Sequence, residues 1–300
     1  MKIYRDSTTT EGGLNQPKCQ SSPSGYGDDY DFQLEKRNNE RFHHPNIIPM
    51  WAAIKHGAYN MAIYPLARTS LDKVMKEPCT LSSADIVSRM VDLSSALALM
   101  HCGVPETCGY HFDIKPSHIL ARYDGTWALA DLGAAHFKKA VMGDPSYSAT
   151  RRPPCADEFA APDGDTARRS FDVWSLGCVF ALLLVWFAEG PDAVARFRDS
   201  RKTKVDNMVS HSFHEMVGDT PMVKLAVWKK FDAIVEQHAD NRLLIESIKI
   251  VRLLLNPQQA ERPTSKQAEE LLSRLLGEEG KECNAAILEP AIEVCAPRSD

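Results

Sequence analysis

Hydrophobic and polar positions change their spacing along the chain, and the change separates a short strand-rich part from a longer helical part. Short apolar runs at Ile47-Ile48 and Met61-Ala62-Ile63 are typical of strands. Apolar residues recur every three or four positions over residues 82–100, which predicts an amphipathic helix with Ser83 as its N-cap. Strands followed by helices, in that order, favour an α+β fold over alternating βαβ units.

The second half of the chain carries the longest apolar segments. Residues 119–121 and 127–130 predict two strands joined by a turn at Asp124-Gly125. Residues 173–188 are apolar on all sides, which predicts a buried central helix. Its longest uninterrupted apolar run, Cys178 to Ala188, covers eleven residues, fewer than the roughly 20 that a membrane span needs. Two further amphipathic helices are predicted over residues 243–255 and 266–276.

Composition and charge narrow the class of protein. The 300 residues are 44% hydrophobic and 25% charged, so the chain can bury a sizeable core. Its net charge of −5, from 35 basic and 40 acidic residues, argues against a protein built around nucleic-acid phosphates. Eight dispersed cysteines and no apolar signal region after the first methionine predict a cytoplasmic or nuclear protein without a membrane partner.

The residues with the clearest chemistry lie in two loops. Residues 111–120 read His-Phe-Asp-Ile-Lys-Pro-Ser-His-Ile-Leu, and Asp131-Leu132-Gly133 follows the predicted hairpin, 18 residues after Asp113. Two such loops can converge on one cleft, where one carboxylate orients a hydroxyl nucleophile and the other holds Mg²⁺ against phosphates. Lys115 would then stabilise charge on a transferring phosphoryl group.

These two segments resemble the catalytic loop and the D-F-G motif of protein kinases. Three further segments resemble kinase motifs. His44-Pro45-Asn46-Ile47-Ile48 resembles the segment that follows helix C, and residues 170–178 resemble the start of the large central helix. Glu261-Arg262-Pro263-Thr264 resembles the segment with Arg-Pro-Thr near the end of kinase domains. The resemblance covers residues 33–276. Residues 185–202 also resemble a divergent fungal branch of the serine/threonine kinases.

The resemblance implies a bilobal α+β fold with an incomplete β-rich small lobe and an intact helical large lobe. The expected organisation is a disordered leader over residues 1–31, a partial small lobe over 32–66, a large lobe over 67–276 and a flexible tail over 277–300.

The resemblance also implies phosphoryl transfer from ATP to serine or threonine of a protein substrate, with ATP and Mg²⁺ as cofactors. Asp113 and Lys115 are the implied catalytic residues, and Asp131 is the implied metal ligand, with one Mg²⁺ ion favoured over two. The implied cofactor-binding residues are Glu35, Ile63, Tyr64, Leu66, His118 and Leu120. The other expected partner is a protein, nucleic acid and membrane are not expected, and the oligomeric state is left open.

Several departures from the family pattern weaken the expected activity. His118 stands where the family has an asparagine, and an imidazole nitrogen suits Mg²⁺ poorly. Phe112 replaces the catalytic-loop arginine that reads an activation-loop phosphate, so such a phosphate is not expected to be the switch. A glycine-rich loop is missing. Lys18 has a tolerable spacing to Glu35 for the family's strand lysine, but Pro17 is poor in a strand, and a stray lysine in a disordered leader is the favoured interpretation.

The segment before the central helix allows two registers for the family's A-P-E motif. In one register Cys155 replaces the glutamate, which leaves Arg262 without an acidic partner. In the other, Asp163 keeps the pair but lies only nine residues before Asp172. The short spacing favours the first register.

Two function hypotheses therefore stand side by side. The first is a serine/threonine protein kinase of weak activity. The alternative is a catalytically inactive pseudokinase that acts as a protein-binding scaffold, or a truncated fragment whose start is set downstream of a fuller small lobe.

Overall fold

The computed structural model describes residues 1–5, 28–102, 107–139, 150–151, 157–164, 166–205 and 208–277. The helices within these ranges are α1 (Asp28–Asn39), α2 (Leu71–Val74), α3 (Ser83–Cys102), α4 (Arg169–Glu189), α5 (Pro191–Ser200), α6 (Leu225–Gln237), α7 (Arg242–Leu254) and α8 (Ser265–Gly277). The strands are β1 (Lys2–Arg5), β2 (Ala52–His56), β3 (Tyr59–Ile63), β4 (Thr69–Ser70), β5 (Thr107–Tyr110), β6 (Ile119–Ala121), β7 (Trp127–Leu129), β8 (His136–Lys139), β9 (Thr150–Arg151), β10 (Thr166–Ala167), β11 (Thr203–Val205), β12 (Met208–Ser210), β13 (His214–Val217) and β14 (Thr220–Val223).

A three-stranded antiparallel sheet, in the order β1-β3-β2, forms the small lobe. A tight turn at Gly57, whose φ of 58° lies in the left-handed region that glycine tolerates, joins β2 to β3. Strand β1 pairs with the other edge of β3, with Lys2 opposite Ala62. Helix α1 packs against β1 and β3. The sheet therefore brings the first residues of the chain next to a helix that begins more than twenty residues later.

This sheet corrects the expectation of a disordered leader over residues 1–31. Residues 2–5 form a strand, and residues 28–31 belong to α1. The intervening residues 6–27, including Lys18, lie outside the described ranges. Strand β1 has no local sequence signal because its four residues are stabilised by their non-local pairing with β3 and not by a pattern of their own.

Helix α3 confirms the predicted amphipathic helix, with one change at its start. Ser82, not Ser83, is the N-cap: the Ser82 Oγ accepts a hydrogen bond from the Asp85 N–H at 3.1 Å, and the Asp85 carboxylate accepts one from the Ser82 N–H at 3.0 Å. These reciprocal bonds form a capping box. The apolar face of α3 packs against α4, α7 and α8, which makes it one wall of the large lobe.

Helix α4 is the predicted central helix, and its residues from Phe171 to Trp186 are all buried. By length and composition it could cross a membrane, but 89% of its most apolar stretch is buried inside the protein, as in a core helix. Helices α7 and α8 also match their predicted spans within one or two residues.

The predicted hairpin is present as β6 and β7, with β4 added on the outer side of β6. Its turn residue Gly125 has a φ of 83°. The expected strand at Ile47-Ile48 is reduced to a single parallel bridge between Ile47 and Leu129. The backbone amide of Ile48 donates to the Leu129 carbonyl at 2.8 Å, and the Leu129 amide donates to the Asn46 carbonyl at 2.8 Å. This segment therefore ties the small-lobe side of the chain to the hairpin that follows the loop over residues 111–118.

Candidate active site

The loop after β5 is held in place by one buried carboxylate on α4. Asp172 accepts hydrogen bonds from the backbone amides of His111 and Phe112, both at 2.8 Å, and contacts the His101 ring at 3.0 Å. Phe112 has a φ of 64°, an unfavourable conformation for a residue with a large side chain. Two charge-assisted hydrogen bonds from successive amides offset that strain. Asp172 therefore anchors this loop to the first turn of α4.

The Phe112 side chain lies in the core and not at the surface. Its ring stacks on Tyr110 with centroids 5.0 Å apart and meets the edge of Phe171 at 5.8 Å. An apolar ring in this place offers no donor to a phosphate, in keeping with the expectation that activation-loop phosphorylation is not the switch.

Asp113 projects from this loop next to two basic side chains. The Lys115 Nζ donates to the Asp113 Oδ2 at 2.7 Å. The His118 Nδ1 lies 3.0 Å from the Asp113 backbone carbonyl and 3.3 Å from its Oδ2. The Asp113 side chain is 19% exposed, so its carboxylate stays partly accessible to solvent while it is paired.

Asp131, two residues after the end of β7, has a left-handed backbone with φ 61° and ψ 73°. Its Oδ1 accepts from the Lys2 Nζ at 2.9 Å and from the Gly133 N–H at 3.3 Å, and its Oδ2 faces the His118 Nε2 at 3.4 Å. Burial opposes ionisation of Asp131, but the charges of Lys2 and His118 outweigh it and lower the pKa to about 2. Asp131 is therefore a carboxylate at any physiological pH.

Gly133 leaves room for this cluster. A Cβ at position 133 would lie 3.1 Å from the Asp131 Oδ1 and 3.6 Å from the Lys2 Nζ. The glycine of the Asp-Leu-Gly motif therefore serves close approach of the backbone to a charged group.

Lys2 is the functional residue that sequence reasoning missed. Its Nζ donates to the Glu35 Oε2 at 2.8 Å as well as to Asp131. Burial lowers the pKa of Lys2, but the two carboxylates more than compensate and raise it. A lysine of β1, Lys2, thus lies beside Glu35, whereas Lys18 lies outside the described residues. The segment Lys2-Ile3-Tyr4-Arg5 has no alternation of polar and apolar residues, so nothing local in the sequence pointed to a strand at this position.

Glu35, on α1, is the most buried member of the cluster, with a side chain only 1% exposed. Burial raises its pKa, while the Lys2 charge and the hydrogen bonds from Lys2 and Tyr64 act in the opposite direction. The Tyr64 hydroxyl donates to the Glu35 Oε1. Burial and the adjacent Glu35 charge raise the pKa of Tyr64, which keeps this hydroxyl protonated as a donor.

The other predicted cofactor-binding residues are Ile63, Leu66 and Leu120, and no hydrogen bond or ion pair of the described residues joins them to this cluster. Ile63 ends β3 and is half-buried, whereas Leu66 is 79% exposed. Leu120 lies on β6, opposite Ser70 on one side and Ala128 on the other. Their role in lining an adenine pocket stays a prediction.

The structure corrects the register of the segment before α4. Arg262 donates to both carboxylate oxygens of Asp163, at 2.9 and 2.6 Å, and both side chains are almost completely buried. The favoured Cys155 register is therefore wrong in leaving Arg262 without an acid, and Cys155 lies outside the described residues. The nine-residue spacing to Asp172 is sufficient because a 3-10 turn over Asp157–Phe159 is tied to α4 by a hydrogen bond from the Ser175 hydroxyl to the Phe159 carbonyl.

Comparison with known proteins agrees with this arrangement. The family model of the protein kinase domain matches residues 22–276. The chain is 27% identical over 207 residues to mouse serine/threonine-protein kinase 16, covering 61% of this chain and 65% of that protein. It is 28% identical over 151 residues to Caenorhabditis elegans cyclin-dependent kinase 7 (49% and 43%), and 31% identical over 157 residues to human cyclin-dependent kinase-like 4 (50% and 38%).

The chain therefore belongs to the protein kinase domain family, and its relatives are serine/threonine kinases. The matched part spans between about two fifths and just under two thirds of the length of these three relatives. The family as a whole uses ATP and Mg²⁺. The expected place in a fungal branch stays a prediction.

Proposed function

We propose that this chain transfers the γ-phosphoryl group of ATP to a serine or threonine of a protein substrate, at a low rate. The observation that carries the proposal is a continuous row of charged groups in one cleft, in which Lys2 joins Glu35 to Asp131 and Lys115 pairs with Asp113. Preorganised charges of this kind are what phosphoryl transfer requires, because the protein contributes positioning and electrostatic stabilisation more than covalent chemistry.

Each residue has a role in keeping with its surroundings. Asp113 would accept the hydrogen bond of the substrate hydroxyl and orient its oxygen toward the phosphorus. Lys115, with its Nζ 2.7 Å from the Asp113 carboxylate, would place positive charge beside the transferring group. Lys2 would bind phosphate oxygens while Glu35 keeps its ammonium in position.

The donor set at Asp131 fits one divalent cation. This side chain is 34% exposed and ionised, and its Oδ2 lies 3.4 Å from the His118 Nε2. Asp131 would hold Mg²⁺, and the bound ion would supply charge neutralisation to the phosphates. Among the described residues, no group of three His, Cys, Asp or Glu side chains could hold a metal ion without such phosphates.

One observation favours the competing function, a catalytically inactive protein-binding module. His118 lies between the two aspartates, 3.0 Å from the Asp113 carbonyl and 3.4 Å from the Asp131 Oδ2. There it supplies a nitrogen where a hard oxygen ligand would favour a second Mg²⁺.

The test is transfer of labelled γ-phosphate from ATP to a generic protein substrate. The wild-type chain should show slow transfer that Asp113→Asn abolishes, and His118→Asn should raise the Mg²⁺-dependent rate. Transfer no greater than in Asp113→Asn, from a chain that still binds ATP, would refute the kinase activity and leave the binding module. If His118→Asn gives no gain, the small lobe and not the metal site limits the rate.

A further inference from the structure

A buried asparagine of α1, outside the row of charged groups, contacts the backbone of the segment after β7. Asn38 is 2% exposed. Its amide nitrogen donates to the backbone carbonyl oxygen of Leu132 at 3.0 Å and to that of Ala135 at 2.9 Å. An asparagine amide has two N–H donors, so each carbonyl receives one of them. The two bonds join α1 to both ends of the short 3-10 turn that follows Asp131.

Helix α1 therefore holds the Asp131 segment (residues 131–135) through two different connections. Glu35 is joined to Asp131 through the Lys2 Nζ, which lies 2.8 Å from one carboxylate and 2.9 Å from the other. Asn38 lies three residues after Glu35, so the two side chains are neighbours on the surface of α1. The first connection is a bridge between charges, and the second is a pair of neutral hydrogen bonds.

The two connections respond differently to a nucleotide. In the proposed function Lys2 binds phosphate oxygens and Asp131 holds Mg²⁺, so both charges become engaged by ligands. The donors of Asn38 are buried and already bonded to backbone carbonyls, so they are not available to a ligand. Salt also screens the partly exposed pair between Lys2 and Asp131, but not a buried neutral hydrogen bond. The connection through Asn38 is thus the one that persists when the site is filled.

We propose that Asn38 is a positioning residue that keeps Asp131 in place for Mg²⁺ while Lys2 is engaged by the nucleotide. Asn38 acts through the backbone of the Asp131 segment and not through contact with a reacting group. The inference rests on the proposed function, because it concerns how the same site stays assembled when its charges bind a ligand.

The test compares two variants that lack the donors, Asn38→Leu and Asn38→Ala, with the control Asn39→Leu. Asn39 is the adjacent buried asparagine, and its amide nitrogen donates to the Glu35 carbonyl within α1 at 3.0 Å. The control therefore removes a buried amide from the same helix without removing a bond to the Asp131 segment. Either Asn38 variant that melts cooperatively is sufficient for the comparison.

Two measurements on the full chain report on the position of Asp131. Hydrogen exchange without nucleotide, followed by mass spectrometry, reports on the Asp131 segment, where the amides of Gly133 and Ala135 are hydrogen-bonded. Helix α3 serves as the internal reference. Calorimetric titration with a non-hydrolysable ATP analogue, with and without Mg²⁺, then gives the ratio of the two dissociation constants.

In the Asn38 variants, exchange over the Asp131 segment should rise at least about fivefold, the effect of losing one hydrogen bond of ordinary strength. Exchange in α3 should stay as in the wild type. The factor by which Mg²⁺ tightens binding of the analogue should fall at least about fivefold for the same reason, while binding without Mg²⁺ stays unchanged. Asn39→Leu should match the wild type in both measurements.

Asn38 variants that keep the wild-type exchange over the Asp131 segment and the wild-type effect of Mg²⁺ overturn the inference and leave the proposed function standing. Faster exchange that extends to α3, with an unchanged effect of Mg²⁺, also overturns the inference, because it shows a general loss of stability without displacement of Asp131. A wild type that does not bind the analogue with Mg²⁺ overturns the proposed function and the role of Asn38 within it.

Discussion

Removal of the ion pair between Arg262 and Asp163 is the strongest test of how the large lobe is packed. The Arg262 guanidinium contacts both oxygens of Asp163, and both side chains are at most 1% exposed. It also donates to three backbone carbonyls and lies 5.1 Å from the ring centroid of Trp174. One side chain therefore joins the segment before α4, α4 itself and the turn before α8.

Arg262→Ala would leave the Asp163 carboxylate buried with a single hydrogen bond, from the Gln259 side chain at 2.8 Å. Removing one partner of a buried pair costs about 3–5 kcal/mol. At about 2–4 °C per kcal/mol for a domain of this size, the melting midpoint should fall by roughly 6–20 °C. The measurement is thermal unfolding of the purified chain, followed by circular dichroism.

Two variants provide the controls. Lys266→Ala removes an exposed pair with Glu269 and should shift the midpoint by no more than about 2 °C. The double variant Arg262→Met with Asp163→Leu removes both charges and should recover most of the loss, because an apolar pair of similar volume is often as stable as a buried ion pair. An Arg262→Ala midpoint within about 2 °C of the wild type would refute the pairing and restore the Cys155 register.

Three other predictions follow from the same contacts. Lys2→Met should weaken ATP binding at least tenfold, measured by calorimetry, because it removes the ammonium beside Glu35 and Asp131. Lys18→Met should leave the binding unchanged. The reverse result would assign the phosphate-binding role to Lys18. Tyr64→Phe should lower the melting midpoint by a few degrees, because it removes a hydrogen bond to a buried carboxylate, which is worth about 1–3 kcal/mol. Tyr59→Phe, at an exposed position, should leave the midpoint unchanged. Equal midpoints for Tyr64→Phe and the wild type would contradict the hydrogen bond. Burial lowers the pKa of His101 below 6.5 in the folded state, so its contribution to stability is complete above that pH and is lost as the pH falls through the folded value. The midpoint should therefore drop between pH 7 and 5 less steeply in His101→Gln, and parallel curves would contradict the assignment.

The sequence predicted the parts of the fold that are specified locally. Helix α3 has a regular apolar face, α4 is apolar on all sides, and the β6–β7 hairpin has a turn dipeptide that strongly favours this geometry. Asp113 and Asp131 could be singled out because their motifs are contiguous stretches of sequence, and both lie beside His118 in the structure.

What the sequence did not reveal depends on contacts between distant residues. Lys2 is 33 positions from Glu35 and 129 from Asp131, and the pairing of β1 with β3 that brings it there has no local signature. The bond between Arg262 and Asp163 spans 99 positions, and the tie between Ser175 and Phe159 that makes the short spacing workable is a tertiary contact. The hairpins β11–β12 and β13–β14 were not predicted, because their strands are only three or four residues long and interrupted by polar residues.

The most direct measurement of the central claim, that Asp131 and Lys2 form a working nucleotide site, is thermal melting with ATP, with and without Mg²⁺. A ligand that binds only the folded state at 100 times its Kd adds about 2.7 kcal/mol, equivalent to a rise of about 5–10 °C in the midpoint. The wild type should show a rise that depends on the cation, and Asp131→Asn should lose that dependence. A cooperatively melting wild type with no rise, or an equal Mg²⁺-dependent rise in Asp131→Asn, would contradict the account.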